Sequence, residues 1–341
     1  MTSNWRDPAT AEVLLSYLGE TTLDGPALVL NDPLPLAVEA IKVSGVFADW
    51  WSRRIIPGAM VAPFLPPGPY STVLLRLPRS KDELEMLLHG AWGELAVGGT
   101  LLVYGANDEG ATSADAKIEP LFGPVETTLV KRRCRVLRAT RPERPPAGDA
   151  QQMHPELLYW HDSFPLELEG QTREWVSFPG VFSHGRLDPG TALLLDAMPK
   201  VDPGARVLDF GCGSGIIGAT VLAREPGAEV DLLDDDILSL VAAWENVPGG
   251  RPCLGTGLAA TERGPYDLIV SNPPFHEGKS EDLEVIEELI ADAPGHLAKK
   301  GSLLMVVQRR LPVQRPLEAA FRRVEIVAED ATYRVWQAFR R

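Results

Sequence analysis

The sequence has few cysteines and no long apolar segment. Only three residues are cysteine, Cys134, Cys212 and Cys253, and their wide spacing fits neither a zinc site nor a disulfide framework. Nowhere do about 18 uncharged apolar residues run together, and the first residues are polar, so we expect neither a membrane-spanning helix nor a secretory leader. These absences argue against a disulfide-rich secreted protein and predict a reducing, cytoplasmic location.

Positive charge is also scarce. The chain has 33 lysine and arginine residues against 47 aspartate and glutamate residues, which gives a formal net charge of −14. A chain with this charge is repelled as a whole by nucleic acid, whose binding normally relies on lysine and arginine. General adhesion to nucleic acid is therefore excluded, and any contact with RNA has to come from a local basic patch on an acidic protein.

The length of the chain predicts two domains. At 341 residues it exceeds the size at which a single hydrophobic core usually stops growing, and 45% of its residues are hydrophobic. The stretch 141–150 is rich in proline and other turn formers and short of apolar residues, which is typical of a boundary. We predict a first domain over residues 1–145, a linker over 146–172 and a second domain over 173–341.

A glycine-spaced turn follows an apolar strand early in the second domain. Asp209 lies near the end of this strand, and Gly211, Gly213 and Gly215 lead into a helix. Glycines allow positive φ and a close approach of the backbone to a ligand, and a helix start presents unpaired N–H groups. A carboxylate two residues before the first glycine can bind a cationic amino group, which favours S-adenosylmethionine. NAD binding or a purely structural turn would use a similar pattern.

Further candidate cofactor residues follow the next two strands. Asp234 and Asp235 come after an apolar strand, about 20 residues beyond the glycines, where a carboxylate accepts hydrogen bonds from ribose hydroxyls. Thr256 and Gly257 follow the third strand. The predicted cofactor site consists of Asp209, Gly211, Cys212, Gly213, Gly215, Asp234, Asp235, Thr256, Gly257 and Asn272.

The sequence Asn272-Pro273-Pro274-Phe275 ends a further apolar strand and is the predicted catalytic motif. The prolines fix their own φ and restrict the residue before each, which directs the asparagine side chain and a neighbouring carbonyl group into one pocket. Two such acceptors suit the exocyclic amine of a base, because gripping its hydrogens favours the pyramidal nitrogen that attacks a methyl group. Phe275 can stack on the base. The alternative is a proline-stiffened turn after a buried strand.

The two halves of the chain resemble each other. Tyr70 to Arg79 can be laid over Tyr266 to Phe275, and in both halves a helical segment, a glycine-rich turn and an apolar strand follow. Self-similarity over this distance indicates a duplicated unit. Arg76 stands where the second copy has Asn272, and no glycine-spaced turn precedes it. We therefore predict that the first copy keeps the fold without the amine clamp and the cofactor loop.

Strands and helices alternate through the second copy, which predicts a parallel sheet covered on both faces. The end of the chain breaks this alternation, and Val324 to Ala328 with Thr332 to Phe339 predict an antiparallel hairpin. Ligands of such sheets bind beyond the carboxyl ends of the strands. The parallel strands are predicted near residues 206–210, 229–234, 252–255, 267–271 and 302–307.

The glycine turn and Asn272 to Phe275 together resemble the class I S-adenosylmethionine-dependent methyltransferases. The run from Phe178 to Thr191, the sequence His276-Glu277-Gly278 and the total length are similar to the bacterial 16S rRNA guanine-N2 methyltransferase C family (RsmC). The similarity is strong over residues 173–341 and weak before them. It implies an α/β fold of two tandem Rossmann-like class I methyltransferase domains, each a mostly parallel seven-stranded sheet with a C-terminal antiparallel hairpin, the N-terminal copy degenerate.

The resemblance also implies an activity and a partner. It implies methyl transfer from S-adenosylmethionine to the exocyclic N2 amine of a guanine in 16S rRNA, in this family nucleotide 1207, with the small ribosomal subunit as partner. It suggests that Phe182, Asp188 and Thr191 line the pocket, although Asp188 would equally suit a helix cap. We expect a monomer that binds neither DNA nor a membrane. We assign no general base and no metal, because positioning supplies much of the rate once the methyl group is activated.

Two basic stretches are candidates for contact with RNA. The first is strand-like and lies near the end of the first copy, and the second follows the last parallel strand of the second copy. A charged edge strand protected against aggregation would have the same composition as the first stretch. The predicted RNA contacts are Arg132, Arg133, Arg135, Arg309 and Arg310.

One position departs from the family pattern. Related enzymes often place an aspartate or asparagine after the third strand to accept the adenine amino group, and here that position is Gly257. We expect weaker cofactor binding for this reason. Two other functions stay open: the same chemistry on a guanine of large-subunit rRNA, and a non-catalytic ribosome-assembly factor that binds RNA.

Overall fold

The computed structural model describes residues 6–146, 153–262, 264–273 and 280–340. The chain divides into two compact units, of which the first ends at His161 and the second begins at Asp162. This division falls inside the range 146–172 that the sequence analysis assigned to a linker.

The first unit contains a single seven-stranded sheet with the strand order β3-β2-β1-β4-β5-β7-β6. The first five of these strands are parallel, and β7 is antiparallel to both β5 and β6. The helices are α1 (Arg6–Glu20), α2 (Leu36–Val43), α3 (Lys81–Glu94) and α4 (Asp115–Phe122). The strands are β1 (Ala27–Leu30), β2 (Ala48–Ser52), β3 (Met60–Val61), β4 (Tyr70–Arg76), β5 (Leu95–Ala106), β6 (Glu126–Lys131) and β7 (Cys134–Thr140).

The second unit begins with a two-stranded antiparallel hairpin and continues into its own seven-stranded sheet. The hairpin strands are β8 (Asp162–Leu168) and β9 (Gln171–Ser177). The helices are α5 (Pro189–Asp196), α6 (Ile216–Arg224), α7 (Ile237–Asn246), α8 (Ser280–His296) and α9 (Gln314–Ala320). The strands are β10 (Arg206–Phe210), β11 (Glu229–Asp234), β12 (Arg251–Leu254), β13 (Tyr266–Ser271), β14 (Leu297–Gln308), β15 (Arg323–Glu329) and β16 (Tyr333–Phe339).

The strand order in the second sheet is β12-β11-β10-β13-β14-β16-β15, which repeats the order of the first sheet element by element. In both units the last two strands pair antiparallel to each other, and the final strand also pairs antiparallel to the long strand that precedes the two, β5 in the first unit and β14 in the second. This repetition confirms the predicted fold class of two Rossmann-like, mostly parallel sheets, each with a C-terminal antiparallel pair. It also confirms that the two halves share one fold.

The second sheet is buried on both faces, which explains its nearly continuous apolar strands. Alternate residues of β14 belong to opposite cores: Leu304 and Val306 pack with α5, α6 and α7, whereas Leu303 and Met305 pack with α8 and α9. The helices therefore cover the faces and leave the edge at the carboxyl ends of β10, β11 and β13 open to a ligand.

Local sequence signals fix where the helices around this edge begin. Asp188 caps α5 by accepting a hydrogen bond from the backbone N–H of Thr191, and Pro189 occupies the first helical position, where its missing N–H is tolerated. Asp236 caps α7 by accepting from the N–H of Leu238. Both helices thus start next to the carboxyl edge of the sheet.

In the first unit, the corresponding edge is occupied by ion pairs. Arg76 ends β4 and is 4% exposed, and its Nη2 lies 2.7 Å from Asp7 Oδ1 and 2.8 Å from Glu109 Oε2. Burial acts to lower the pKa of the Arg76 guanidinium, but the two carboxylates raise it above its usual value. The position that corresponds to Asn272 is therefore filled by a paired cation.

We predict that Arg76→Ala lowers the free energy of unfolding by about 3–5 kcal/mol, because it leaves Asp7 and Glu109 close together without their cation. Urea denaturation of the full chain measures this change. Arg138→Ala, at an exposed position of β7, is the control and is expected to change stability by less than about 0.5 kcal/mol. Equal denaturation midpoints for the Arg76 variant and the wild type would show that these ion pairs contribute no net stability.

Candidate active site

A pocket opens where β10 and β13 end in the second unit. It brings together the front of the glycine turn, Asn272 and the three residues that the family resemblance suggested as pocket lining. The lining residues are Phe182, Ser183, Asp188, Thr191, Gly211, Cys212, Gly213, Ser214, Ile216, Ile217 and Asn272. The predicted residues Asp209, Gly215, Asp234, Asp235, Thr256 and Gly257 lie outside this lining.

The glycine turn uses its glycines for two different purposes. Gly211 and Gly213 adopt positive φ angles of 69° and 53°, and a Cβ atom at either position would meet no other atom within 4 Å. The backbone conformation at these two positions therefore requires glycine, and the space beside it is open to a ligand. Gly215 also has positive φ, but a Cβ atom there would come within 2.6 Å of Val247 Cγ2. Gly215 thus allows α6 to approach α7 closely.

Asp209 lies beneath the glycine turn and is completely buried. Its Oδ2 accepts a hydrogen bond of 2.9 Å from the backbone N–H of Gly218, whereas its Oδ1 has no partner among the described residues. Burial, with a smaller contribution from the Asp234 carboxylate, raises the pKa of Asp209 to about 7 even though the Gly218 N–H lowers it. A buried acceptor without a protein partner is uncommon in native structures.

Asp234 holds the glycine turn against the end of β11. Its Oδ2 accepts from the N–H of Gly213 at 2.8 Å, and its Oδ1 accepts from the N–H of Asp236 at 3.0 Å. Asp234 is the last residue of β11, at the carboxyl edge of the sheet where the ribose interaction is predicted. Thr256 is exposed and Gly257 half-buried beyond the end of β12.

Asn272 is placed by the strand that precedes it and by α5. The buried hydroxyl group of Ser271 donates to the carbonyl oxygen of Phe210 at 2.9 Å, which joins the end of β13 to the end of β10. Asn272 Nδ2 then donates to Asp188 Oδ2 at 3.1 Å and to Thr191 Oγ1 at 2.8 Å. Asp188 therefore both caps α5 and contacts the predicted catalytic asparagine.

Part of the predicted catalytic motif lies outside the described residues. Pro273 is described and buried. Pro274 and Phe275, together with His276 and Glu277, belong to the range that the structure does not describe.

Sequence reasoning missed the β8–β9 hairpin and its contacts with the glycine turn. The buried indole of Trp175 donates to Ser214 Oγ at 3.0 Å. Asn246, at the end of α7, donates from Nδ2 to the carbonyl oxygens of Ser214 (2.9 Å) and Val176 (2.7 Å), and its Oδ1 accepts from the Val176 N–H at 2.9 Å. The only signal was a weak alternation of apolar residues between charged ones, as at Leu166 and Trp175.

The candidate RNA contacts lie in both units. Arg132 and Arg133 form the two-residue turn between β6 and β7, and both adopt positive φ, 50° and 61°, which is unfavourable for arginine. Arg132 pairs with Glu12.

The remaining candidates are held by neighbouring polar groups. Arg135 donates to Asn107 Oδ1 at 2.9 Å. In the second unit, Arg309 donates to the carbonyl oxygen of Asp330 at 2.9 Å and Arg310 to Gln308 Oε1 at 3.0 Å, both at exposed positions.

Within the described residues, no helix combines the length and the apolar character that crossing a bilayer requires. The described histidine, cysteine and acidic side chains form no group of three or more that could hold a metal ion.

Comparison with known families matches both halves of the chain. Residues 173–337 match the family described as "Methyltransferase small domain", and residues 63–156 match "Methyltransferase small domain N-terminal".

Curated relatives carry the name "Ribosomal RNA small subunit methyltransferase C". The protein from Pseudomonas entomophila is 35% identical over 280 residues, which are 81% of each chain. The protein from Psychromonas ingrahamii is 31% identical over 318 residues, covering 90% of this chain and 89% of its own.

A solved structure has the same two-unit fold. It is the T. thermophilus 16S rRNA N2 G1207 methyltransferase in complex with AdoMet and guanosine, with a TM-score of 0.83, coverage of 99% of this chain and 93% of its own, and 23% identity.

We predict that Asp209 makes the stability of the unliganded protein depend on pH. Burial raises the pKa of Asp209 from its ordinary value of 3.8 to about 7, so the protonated carboxyl group favours the folded state. Its contribution to the free energy of unfolding is therefore complete below about pH 4 and is lost as the pH rises from 3.8 to about 7. Asp209→Asn keeps an acceptor for Gly218 and removes the titration. Across this window, the stability of the wild type should fall relative to the variant by up to about 1.4 kcal/mol per pH unit.

Urea denaturation of both proteins at several pH values in this window measures the difference. Parallel pH profiles for the wild type and Asp209→Asn would show that Asp209 is ionised throughout.

Proposed function

This chain belongs to the ribosomal RNA small subunit methyltransferase C family, and on that basis we propose that it transfers a methyl group from S-adenosylmethionine to the exocyclic N2 amine of a guanine in 16S rRNA. The observation that supports this most directly is a single pocket lined by Gly211, Gly213 and Asn272. A cofactor-type turn and an amide for binding an amine thus lie side by side. The proposed target is the family nucleotide 1207, within the small ribosomal subunit.

The residues present fit S-adenosylmethionine. The cofactor supplies a methyl group on a sulfonium, which is an activated leaving group. Gly211 and Gly213 offer open backbone next to it, and Cys212 is a small buried residue between them. Oδ1 of Asp209, which has no partner among the described residues, is proposed to accept from a cationic amino group, and the carboxylate of Asp234, at the end of β11, from ribose hydroxyls.

The base is proposed to bind between Asn272 and an aromatic side chain. Phe182 lines the pocket and is 53% exposed, which leaves its ring available for stacking on a base. Pro273 restricts the backbone of Asn272 and so limits the directions its side chain can take. We propose that these residues act by orientation, and that no side chain is needed as a general base.

RNA binding is proposed to depend on local arginines, since the net charge of −14 opposes general attraction. Arg132 and Arg133 at a tight turn and Arg309 and Arg310 after β14 are exposed and suited to phosphate contacts. With rRNA as substrate, the proposed location is the cytoplasm, and we propose that the protein acts as a monomer.

We predict that incubation with labelled S-adenosylmethionine and undermethylated small subunits yields N2-methylguanosine at one position of 16S rRNA. Nucleoside analysis and mapping of the label measure this. Asn272→Ala should lower the rate by about 100-fold or more, because the amine loses an acceptor, while its circular dichroism spectrum stays that of the wild type.

The same experiment separates the competing functions. Label on large-subunit rRNA would favour the alternative target, and cofactor or RNA binding without any transfer would favour a non-catalytic assembly factor. Label in protein, in DNA or in N6-methyladenosine would contradict the proposal.

We predict that Gly257→Asp strengthens cofactor binding. Gly257 adopts an extended conformation (φ −154°), and a Cβ atom there meets nothing within 4 Å, so the substitution introduces neither strain nor a clash. An added acceptor for the adenine amino group should tighten binding by about tenfold. Calorimetric titration of S-adenosylmethionine measures this, with Gly295→Asp, also in open space, as the control. An unchanged dissociation constant would mean that adenine is bound without an acceptor at this position.

A further inference from the structure

We propose that Asp188 is a positioning residue that fixes the amide orientation of Asn272, so that the site presents a hydrogen-bond acceptor and selects an amino group. The inference rests on the proposed function, because it concerns how the same pocket chooses its substrate atom. It assigns Asp188 a task beyond capping a helix or lining a pocket.

An asparagine amide has two orientations of nearly the same shape. One turns the Oδ1 acceptor towards a ligand, and the other turns the Nδ2 donor towards it. Only the first binds an amine, whereas the second would bind a carbonyl oxygen or an unprotonated ring nitrogen. The backbone restraint imposed by Pro273 sets the direction of the side chain but does not distinguish the two ends of the amide.

The hydrogen bonds around Asn272 make this distinction. Nδ2 donates to Asp188 Oδ2 at 3.1 Å and to Thr191 Oγ1 at 2.8 Å, which uses both of its hydrogens. Neither of these contacts with described residues engages Oδ1, which leaves that atom of the amide for a ligand. Since Asn272 lines the pocket, this acceptor is the group available there.

Asp188 determines the direction of the whole cluster. An ionised carboxylate only accepts hydrogen bonds, so an amide turned the other way would face Asp188 with its own oxygen. Thr191 is not fixed by itself, because a hydroxyl group both donates and accepts. Its Oγ1 lies 3.4 Å from Asp188 Oδ2, which directs its hydrogen towards the carboxylate and leaves a lone pair for Asn272.

The carboxylate itself has little freedom. It accepts from the backbone N–H of Thr191 at 2.9 Å as the cap of α5. A Cβ atom on Gly190 would lie 3.0 Å from Asp188 Oδ2 and 3.1 Å from the ring of Tyr333, which shows how closely the carboxylate is enclosed on that side. The group that orients Asn272 is therefore held at the start of α5.

The first unit also has a carboxylate that contacts the end of the equivalent strand, but there its partner is an arginine. Asp7, in the first turn of α1, lies 2.7 Å from Arg76, which ends the strand equivalent to β13. A guanidinium carries only donors, so no acceptor can result there. A carboxylate at the helix start is thus common to both copies, and the residue at the strand end decides whether an acceptor faces outward.

The test exchanges the two side chains. Asp188→Asn retains a good helix cap but no longer imposes one amide orientation, so kcat for guanine methylation should fall about 10- to 100-fold. Asn272→Asp places two carboxylates in contact and should also lose activity. The double variant Asp188→Asn/Asn272→Asp restores one donor facing one acceptor, leaves a second acceptor for the base, and should recover at least tenfold over the weaker single variant.

The matched control is Asp267→Asn. Asp267 is exposed and also accepts a backbone N–H, that of Arg206 at 2.9 Å, but it lies at the opposite end of β13. Its kcat should equal that of the wild type. The dissociation constant for S-adenosylmethionine should change little in Asp188→Asn and in Asp267→Asn, which separates an effect on base orientation from damage to the cofactor site.

A second readout does not need activity. Hydrogen exchange at the Asn272 side-chain amide, followed by NMR, should be at least about tenfold slower in the wild type than in Asp188→Asn, since Asp188 accepts one of its hydrogens. Equal exchange rates, wild-type kcat in Asp188→Asn, or no recovery in the double variant would overturn the inference. A wild type that methylates no guanine but shows slow exchange would overturn the proposed function and retain the orientation of Asn272.

Discussion

The hydrogen bond between Asp188 and Asn272 is the contact on which the site depends, and it joins residues 84 positions apart in the chain. It forms only if α5 packs on the sheet with its first turn at the carboxyl edge and if β13 lies next to β10. The strand order meets the second condition, and the buried Ser271 hydroxyl group strengthens it by bonding to Phe210. The amide orientation at the site is thus a result of how a helix start and a strand end meet.

The same edge shows why two copies of one fold differ in their chemistry. In the second unit, glycines keep the turn after β10 open, and buried Asp209 keeps one oxygen without a partner among the described residues. In the first unit, Arg76 is enclosed by Asp7 and Glu109, so charges are satisfied within the protein. A buried acceptor without a partner costs stability, and a protein keeps such an acceptor where a ligand uses it.

Elements outside the Rossmann-like sheet support the cofactor turn. The β8–β9 hairpin reaches the turn through Trp175 and through the side chain of Asn246, which bonds to both Val176 and Ser214. Asp234, at the end of β11, accepts a hydrogen bond from the backbone N–H of Gly213. The turn is therefore fixed by side chains from three separate elements, which suits a site whose rate depends on holding two reactants in one orientation.

The sequence by itself determined the duplicated α/β fold, the strands near 206–210 and 229–234, the C-terminal hairpin and the positions of the glycine turn and Asn272, because these depend on periodicity and on local backbone restraint. Only the tertiary structure decided that Asp188 contacts Asn272, that Gly215 serves helix packing, and that the β8–β9 hairpin supports the turn. These contacts join segments far apart in the chain. Local pattern carries no information about which distant side chains meet, so packing had to decide them.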